Sequence, residues 1–491
     1  MIDNMGTEIA LKNSYKIVST CNHTMFIIDG NLYGCGRNEY GQLGDGTRIG
    51  RKLPVQIMPG TKFKHVSVGF FHSMFIDIEG NLYGCGLNRY GQLGDGTTDM
   101  TNLPVQIMSG TKFKYVLSRD RYTMLIDIDN NLYGCGWNVF GQLGDGTTID
   151  RKLPVHIMPG TKFKYVSLRD RYTMFIDIDD NLYGCGDNRY AQLGDGTAID
   201  RKIPVRIMPG TKFKYVSAEI RSTMFIDIEG NLYGCGDNEH GQLGDGTRIG
   251  RKLPVHIMPG TKFKYVLSRD RYTMFIDIDD NLYGCGRNNY GQLGDGTTTD
   301  RNLPVQIMPG TKFKYVSVGG NSTMFIDIDD NLYSCGENIY GQLGDGTTID
   351  RKIPVRIMPG TKFKYVTAER ESTIFIDIER NLYGCGNNCF GQLGDGTTKT
   401  RKQPIQILKG IKFVENDGAQ EVDEGNIDDV EHQRKAEQND NEIIIYLDYN
   451  ENDGTQEADK GNINNVEHQR EAEQNDNEII IYLDYNENDG T

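Results

Sequence analysis

One hexapeptide recurs along this 491-residue chain at a fixed interval. Asn-Leu-Tyr-Gly-Cys-Gly begins at residues 31, 81, 131, 181, 231, 281 and 381, and it returns with one serine at 331. The eight copies stand 50 residues apart, and none of them carries an insertion. Self-similarity at such a period is typical of stacked or circular arrays of one supersecondary unit. The fold must therefore be built from eight near-identical pieces.

Each unit contains four short segments of strand character. In residues 62–108 they are "KFKHVSV", "SMFIDI", "NLYGCG" and "LPVQIM", separated by turns rich in glycine and asparagine. Helical periodicity is absent from these segments, and the glycines would weaken any helix. Four antiparallel strands per unit predict the blade of an all-β propeller. A closed ring is favoured over an open solenoid because closure hides the sheet edges.

The repeat also resembles a known family. "GCGRNEYGQLGDGT", residues 34–47, resembles the signature of the regulator of chromosome condensation repeat family, and "VGFFHSM", residues 68–74, resembles its second signature. The resemblance spans about residues 14–413 and implies four-stranded blades that serve mainly as a protein-binding platform. Cys35 and its counterparts stand where members usually have tryptophan. The family norm is seven blades, but eight full units favour eight here, with seven as the alternative.

The chain divides into three parts. Residues 1–13 form an N-terminal segment, 14–413 the propeller, and 414–491 an acidic tail that contains two 36-residue repeats. The resemblance implies ring closure by a terminal strand, for which residues 7–11 and 404–408 are the candidates. From residue 411 onward, 24 acidic side chains oppose five basic ones, a net charge of −19. This composition predicts a largely disordered tail, apart from the β-prone "EIIIYL" at 442–447 and 478–483, which could bind a partner.

The sequence argues against cofactor, metal and disulfide chemistry. The glycine-rich "GQLGDGT" loops lead into no helix, so they lack the setting of a phosphate-binding loop. "DIDNN" at 127–131 resembles the start of a calcium loop, but Leu132 replaces the required glycine, and a hairpin turn is the better interpretation. Eight of the ten cysteines share one repeat position, spaced 50 apart, which fits no metal motif. We expect them to be reduced and buried.

Composition and charge exclude further classes. Net charge outside the tail is about +4 without a basic cluster, so we expect no direct nucleic-acid binding. There is no apolar stretch of membrane-span length and no signal peptide, and we expect a cytoplasmic or nuclear location. Histidines are scattered, and no catalytic arrangement is evident, so we expect neither an enzyme nor a small-molecule substrate.

Candidate binding residues come from the loops that differ between copies. Variation confined to loops on a fixed scaffold is typical of a recognition surface, although neutral drift at exposed positions would also produce it. Three copies of "RDRY" provide arginine and tyrosine, which dominate binding hot spots, and Trp137 occupies a second variable position. The predicted partner-binding residues are Arg119, Arg121, Tyr122, Trp137, Arg169, Arg171, Tyr172, Arg269, Arg271 and Tyr272.

These observations predict a non-enzymatic scaffold that binds a protein partner, with acidic features, through loops on one propeller face. The resemblance implies an alternative, guanine-nucleotide exchange on a Ran-like small GTPase. The family's namesake uses an inserted β-wedge for that activity, and the strict 50-residue spacing leaves no room for one.

Overall fold

The computed structural model describes residues 15–20, 22–269 and 271–407. The candidate ring-closing strand at 7–11 and the acidic tail lie outside these residues. Within them, 32 strands form eight four-stranded antiparallel sheets, each made of four consecutive strands. The prediction of an all-β propeller with eight blades is confirmed, and the sheets are numbered here as blades 1 to 8 in chain order.

The strands occupy four positions in every blade. The first strands are β1 Tyr15–Ser19, β5 Phe63–Val68, β9 Phe113–Ser118, β13 Phe163–Leu168, β17 Phe213–Ala218, β21 Phe263–Arg269, β25 Phe313–Val318 and β29 Phe363–Ala368. The second strands are β2 His23–Ile28, β6 His72–Asp77, β10 Tyr122–Asp127, β14 Tyr172–Asp177, β18 Ser222–Asp227, β22 Tyr272–Asp277, β26 Ser322–Asp327 and β30 Ser372–Asp377.

The third strands are β3 Asn31–Gly36, β7 Leu82–Gly86, β11 Leu132–Gly136, β15 Leu182–Gly186, β19 Leu232–Gly236, β23 Leu282–Gly286, β27 Leu332–Gly336 and β31 Leu382–Gly386. The fourth strands are β4 Arg51–Ile57, β8 Thr101–Ile107, β12 Arg151–Ile157, β16 Arg201–Ile207, β20 Arg251–Ile257, β24 Arg301–Ile307, β28 Arg351–Ile357 and β32 Arg401–Ile407.

The core lies between blades, which is why the second strands are buried on both faces. In β14, for example, every residue from Tyr172 to Asp177 is buried. First strands of neighbouring blades contact one another around the axis. The fourth strands form the rim, where each carries a proline and a lysine or asparagine that is exposed in every blade except blade 2. Proline removes a backbone donor and charge disfavours pairing, so these features protect the outer edges.

The ring closes through contacts between blades 8 and 1. Thr24 Oγ1 in blade 1 donates to the Gln392 carbonyl of blade 8 at 2.8 Å, and Cys35 Sγ approaches the same carbonyl at 3.4 Å. The Gly396 amide donates to the Lys52 carbonyl at 2.9 Å. Equivalent bonds join the other blades, as between Thr123 and Gln92. This joint therefore repeats the chemistry of its neighbours.

Candidate functional site on the loop face

Two loops of every blade emerge at the same end of the ring, which we call the loop face. The short loop joins the first and second strands, and the long loop joins the third and fourth. Antiparallel pairing places both loops at one end, while the turn between the second and third strands lies at the other. The loop face therefore collects both variable segments of every unit.

The long loop is built around a buried asparagine and an aspartate. In blade 3 the Asn138 amide donates to Asp145 at 3.0 Å, while its carbonyl oxygen accepts the Leu143 amide at 2.9 Å. Arg151 Nε donates to the second oxygen of Asp145 at 2.5 Å. Burial would raise the pKa of Asp145, but hydrogen bonds from Thr147, Arg151 and Asn138 outweigh burial and lower the pKa. The loop is thus rigidly framed.

The glycines of this loop let it lie against the next blade. Gly144 has φ +78°, and a Cβ there would fall 2.8 Å from Pro204 Cγ and 3.0 Å from Cys185 Sγ. Cys185 is buried and donates to the Gln142 carbonyl at 3.3 Å, and burial raises the pKa of its thiol. The motif that resembles a phosphate-binding loop is therefore packed between blades, and its cysteine is a buried hydrogen-bond donor.

The first arginine of each "RDRY" loop points inward. Arg169 is buried, forms an ion pair with Glu219 of blade 5, and donates from Nε to the Ala218 carbonyl at 3.1 Å. Arg269 is also buried and lies 3.4 Å from Glu369 of blade 8. Arg119 is buried in the same way, 3.7 Å from Asp170. These three predicted site residues are engaged inside the ring and are not on its surface.

The tyrosines of the same loops are fully buried. Tyr172 Oη donates to the Ser222 carbonyl of the next blade at 2.8 Å, and Tyr122 Oη donates to the Arg169 carbonyl at 2.5 Å. Tyr272 donates to the Ser322 carbonyl at 2.7 Å. Burial raises the pKa of Tyr122 and Tyr172, so both stay neutral donors. In this conformation a partner has no access to them.

The second arginine of the loop points outward and covers an aromatic ring. The Arg121 side chain is 46% exposed, and its guanidinium carbon lies 5.0 Å from the Trp137 ring and 5.7 Å from the Tyr90 ring. Arg171 lies 5.3 Å from the ring of Phe140. Stacking of this kind orders the guanidinium on the face of the ring.

Trp137 connects these pairs across blades. Its ring is half-buried and lies 6.2 Å from Tyr90 of blade 2 and 5.4 Å from Phe140 of its own blade. Val139 beside it is 51% exposed. Two further arginines continue the pattern, Arg189 over Phe140 and Arg221 over Tyr190. We call the following set the arginine–aromatic strip: Tyr90, Arg121, Trp137, Val139, Phe140, Arg171, Arg189, Tyr190 and Arg221.

The strip overlaps the predicted site only in part. The structure brings together Arg121, Trp137 and Arg171, whereas Arg271 stands apart in blade 6, 3.4 Å from His240. Sequence reasoning missed the ring that receives each arginine. That position is aromatic in every copy, as Tyr40, Tyr90, Phe140, Tyr190, His240, Tyr290, Tyr340 and Phe390. The recurrence of an aromatic residue at this position in all eight copies was the available signal.

Comparison with known proteins identifies the architecture. The model of the RCC1-like domain matches residues 5–260 and 154–422, which together include all eight units. The chain belongs to the RCC1-like domain family. A search of curated proteins found no match.

Solved structures share the fold of this RCC1-like propeller. Human WBSCR16 is 17% identical, with 70% of this chain and 98% of that chain covered and a TM-score of 0.56. Prp20p from Saccharomyces cerevisiae, reported with its binding properties to Gsp1p and histones, is 18% identical, with coverage of 69% and 89% and a TM-score of 0.53. Yeast RCC1 (Prp20) bound to Kap60 is 17% identical, with coverage of 69% and 86% and a TM-score of 0.53. At such identities the likeness shows the fold alone.

The loop face of this RCC1-like propeller has different chemistry in blades 7 and 8. Asn321 and Glu371 replace the outward arginines. Asn321 donates to Glu337 at 3.1 Å, and Asn387 donates to Glu371 at 2.5 Å. Burial raises the pKa of Glu337, with a smaller contribution from the charge of Asp350. This part of the face is amide- and carboxylate-rich.

One serine–histidine pair has the spacing of a nucleophile and a base. His23 Nε2 lies 3.0 Å from Ser73 Oγ, and both residues are fully buried at the joint between blades 1 and 2. Burial lowers the pKa of His23 to about 3, with a contribution from His72. The Thr20 hydroxyl faces Nδ1. We assign this pair to packing between the blades, because both side chains are fully buried.

The segment that resembles a calcium loop joins the second and third strands of blade 3. Asp127 accepts bonds from the Asn131 amide and side chain at 2.7 Å each, so the "DIDNN" segment forms a hairpin turn. In residues 15–20, 22–269 and 271–407, His, Cys, Asp and Glu form no cluster of three that could hold a metal ion. The same residues contain no helix that is long and apolar enough to span a membrane.

Proposed function

We propose that this RCC1-like propeller is a non-enzymatic scaffold that binds a protein partner through the arginine–aromatic strip. One observation carries the proposal. Arg121 lies over Trp137 and Tyr90, so that side chains of blades 2 and 3 form one surface, which Phe140 and Arg171 extend into blade 4. Tryptophan, tyrosine and arginine are the residues that dominate binding hot spots.

The partner we propose is a protein segment with carboxylates. Stacked guanidiniums are preorganised, so a carboxylate gains a bidentate pair at a lower entropic cost. Asp187 and Asp120 already pair with Arg189 and Arg121, which limits the net charge of the strip. Directional pairing beside apolar contact, rather than bulk attraction, therefore supports recognition. The eight buried free cysteines suit a reducing compartment, cytoplasmic or nuclear.

The test is affinity capture with the full-length chain, followed by mass spectrometry. The triple variant Arg121→Ala, Trp137→Ala, Arg171→Ala removes the strip, and Asn321→Ala, Glu337→Ala, Glu371→Ala is the matched control on the same face. We expect proteins captured by wild type and control to be lost from the strip variant, at unchanged fold by circular dichroism. Equal capture by both variants would refute the strip as the binding surface.

Nucleotide exchange on a Ran-like small GTPase is the second candidate function. It is supported by the shared fold with Prp20p, which was reported with its binding to Gsp1p. A nucleotide-release assay with purified full-length chain and a panel of Ran-like GTPases separates the two functions. Release that depends on the strip would make exchange the activity of this surface, whereas binding without release would leave a scaffold.

A further inference from the structure

Arginines and apolar rings alternate along the strip, since Arg121 lies over Trp137 while Arg171 and Arg189 both lie over Phe140. Val139, which is 51% exposed, lies in the chain between Trp137 and Phe140, and Tyr190, which is 40% exposed, follows Arg189. Arg121 is the arginine at the blade 2 end of the strip, and Arg221, over Tyr190, is the one at the blade 5 end. A complementary ligand would be a short segment that combines apolar side chains with carboxylates close beside them.

One segment of this chain has that pattern. Residues 440–449 read "DNEIIIYLDY". Asp440 and Glu442 precede a run of five apolar or aromatic residues, and Asp448 follows it. The same letters return at 476–485. Both copies lie outside the described residues. The propeller's last strand ends at Ile407, and 32 residues separate it from Asp440.

We infer that residues 440–449 bind the arginine–aromatic strip and compete with the external partner. The inference rests on the proposed function, because it assigns an internal competitor to the same surface. A chain of 32 residues spans up to about 105 Å, and a 393-residue domain with a radius of gyration of about 21 Å is about 55 Å across, so the segment can reach the loop face. Tethering gives such a segment an effective concentration on the order of millimolar, so that weak intrinsic affinity suffices.

Trp137 provides a direct readout, since it is the only tryptophan in the chain and lies in the strip. Acrylamide quenching of Trp137 is measured in the full-length chain and in a variant with Ile444→Asp and Ile480→Asp, which changes both copies. Val430→Asp with Val466→Asp adds the same charge elsewhere in the tail and is the control. We expect the quenching constant to rise about twofold in the isoleucine variant, as the tethered competitor is lost, and to stay unchanged in the control.

A synthetic peptide of residues 437–451 then tests the contact in trans. Added to the isoleucine variant, it should restore the lower quenching constant, whereas the same peptide with Ile444→Asp should not. Equal quenching in all three chains, or a wild-type peptide without effect, overturns the tail inference. If the strip variant still loses its partner in the capture experiment, the proposed function survives that result. If capture is also unaffected by the strip variant, both proposals fail.

Discussion

Blades 3 and 4 and blades 7 and 8 stand four blades apart in one ring and share a nearly identical scaffold. Their long loops have the same frame, as Asn138–Asp145 in one region and Asn338–Asp345 in the other. At the outward position of the short loop, however, blades 3 and 4 carry Arg121 and Arg171 over aromatic rings, whereas blade 8 carries Glu371. A constant framework with divergent chemistry at its loop tips is what a one-sided recognition surface requires.

The largest expected effect separates the two arginines of one loop. Arg169→Met leaves Glu219 as an unpaired buried charge, which typically costs about 3–5 kcal/mol. Arg171→Met removes one surface stack, worth about 0.5–1 kcal/mol. Urea unfolding of both variants should reproduce this difference. Similar free energies of unfolding for the two variants would contradict the inward and outward assignment.

The second prediction is that glycine is required to the same degree at equivalent scaffold positions of the two regions. Gly136 and Gly336 have φ +98° and +101°, and a Cβ at either would fall 2.5 Å or less from a backbone oxygen. Gly160 and Gly360 have similar φ values but nothing within 4 Å. Alanine at the first pair should destabilise by about 1–3 kcal/mol more than at the second pair, because a clash adds to the strain. An unequal effect at Gly136 and Gly336 would show that the scaffolds differ.

A third prediction concerns the pH dependence of stability. In blades 1 and 2, His23 and His72 stand where blades 3 and 4 have tyrosines. Burial lowers the pKa of His23 and His72 to about 3, so both are neutral in the fold. Below pH 6.5 the histidines bind protons in the unfolded chain but not in the folded one. Each histidine therefore lowers the free energy of unfolding by about 2 kcal/mol at pH 5.

His72→Tyr copies the residue of blade 3 and should remove about half of the combined loss from the two histidines, or about 2 kcal/mol. The free energies of unfolding of wild type and variant are compared at pH 7 and pH 5. An unchanged pH dependence in the variant would exclude His72 as one of its causes.

The smallest expected effect comes from converting one region toward the other. The negative charge of Glu371 raises the pKa of Tyr340, and burial adds a smaller contribution. The Glu371 carboxylate is therefore near the Tyr340 ring. Glu371→Arg should create a stack over Tyr340 like that of Arg171 over Phe140 and stabilise by about 0.5 kcal/mol. Thermal unfolding measures this change. A lower melting temperature would mean that the blade 8 loop cannot adopt the arginine arrangement.

The strands and blade count follow from the sequence, because the 50-residue period and the turn residues fix both. Which residues of "RDRY" face outward did not follow. Arg119 and Tyr122 close a tight hairpin, with the Arg119 amide donating to the Tyr122 carbonyl at 2.9 Å, and both are buried at the strand ends. Arg121 lies at the corner of that turn and projects outward. Side chains alternate between the two faces of a strand, but this alternation does not continue through a turn. The sequence therefore could not show that Arg119 and Tyr122 are buried while Arg121 is exposed.

Pairing across blades was also beyond sequence reasoning. Arg121 meets Tyr90 of the preceding blade, 31 positions earlier in the chain, and Arg221 meets Tyr190 in the same way. Only the packing of neighbouring blades brings these positions together. The strip therefore emerges from the ring as a whole rather than from any single repeat.

Hydrogen–deuterium exchange of the full-length chain, with and without a captured partner, tests the central claim most directly. We expect added protection in the loops 119–122, 137–140, 169–171 and 187–190, and unchanged exchange in 319–321, 337–340 and 369–371. Protection of the second set without the first would contradict the assignment of recognition to the arginine–aromatic strip.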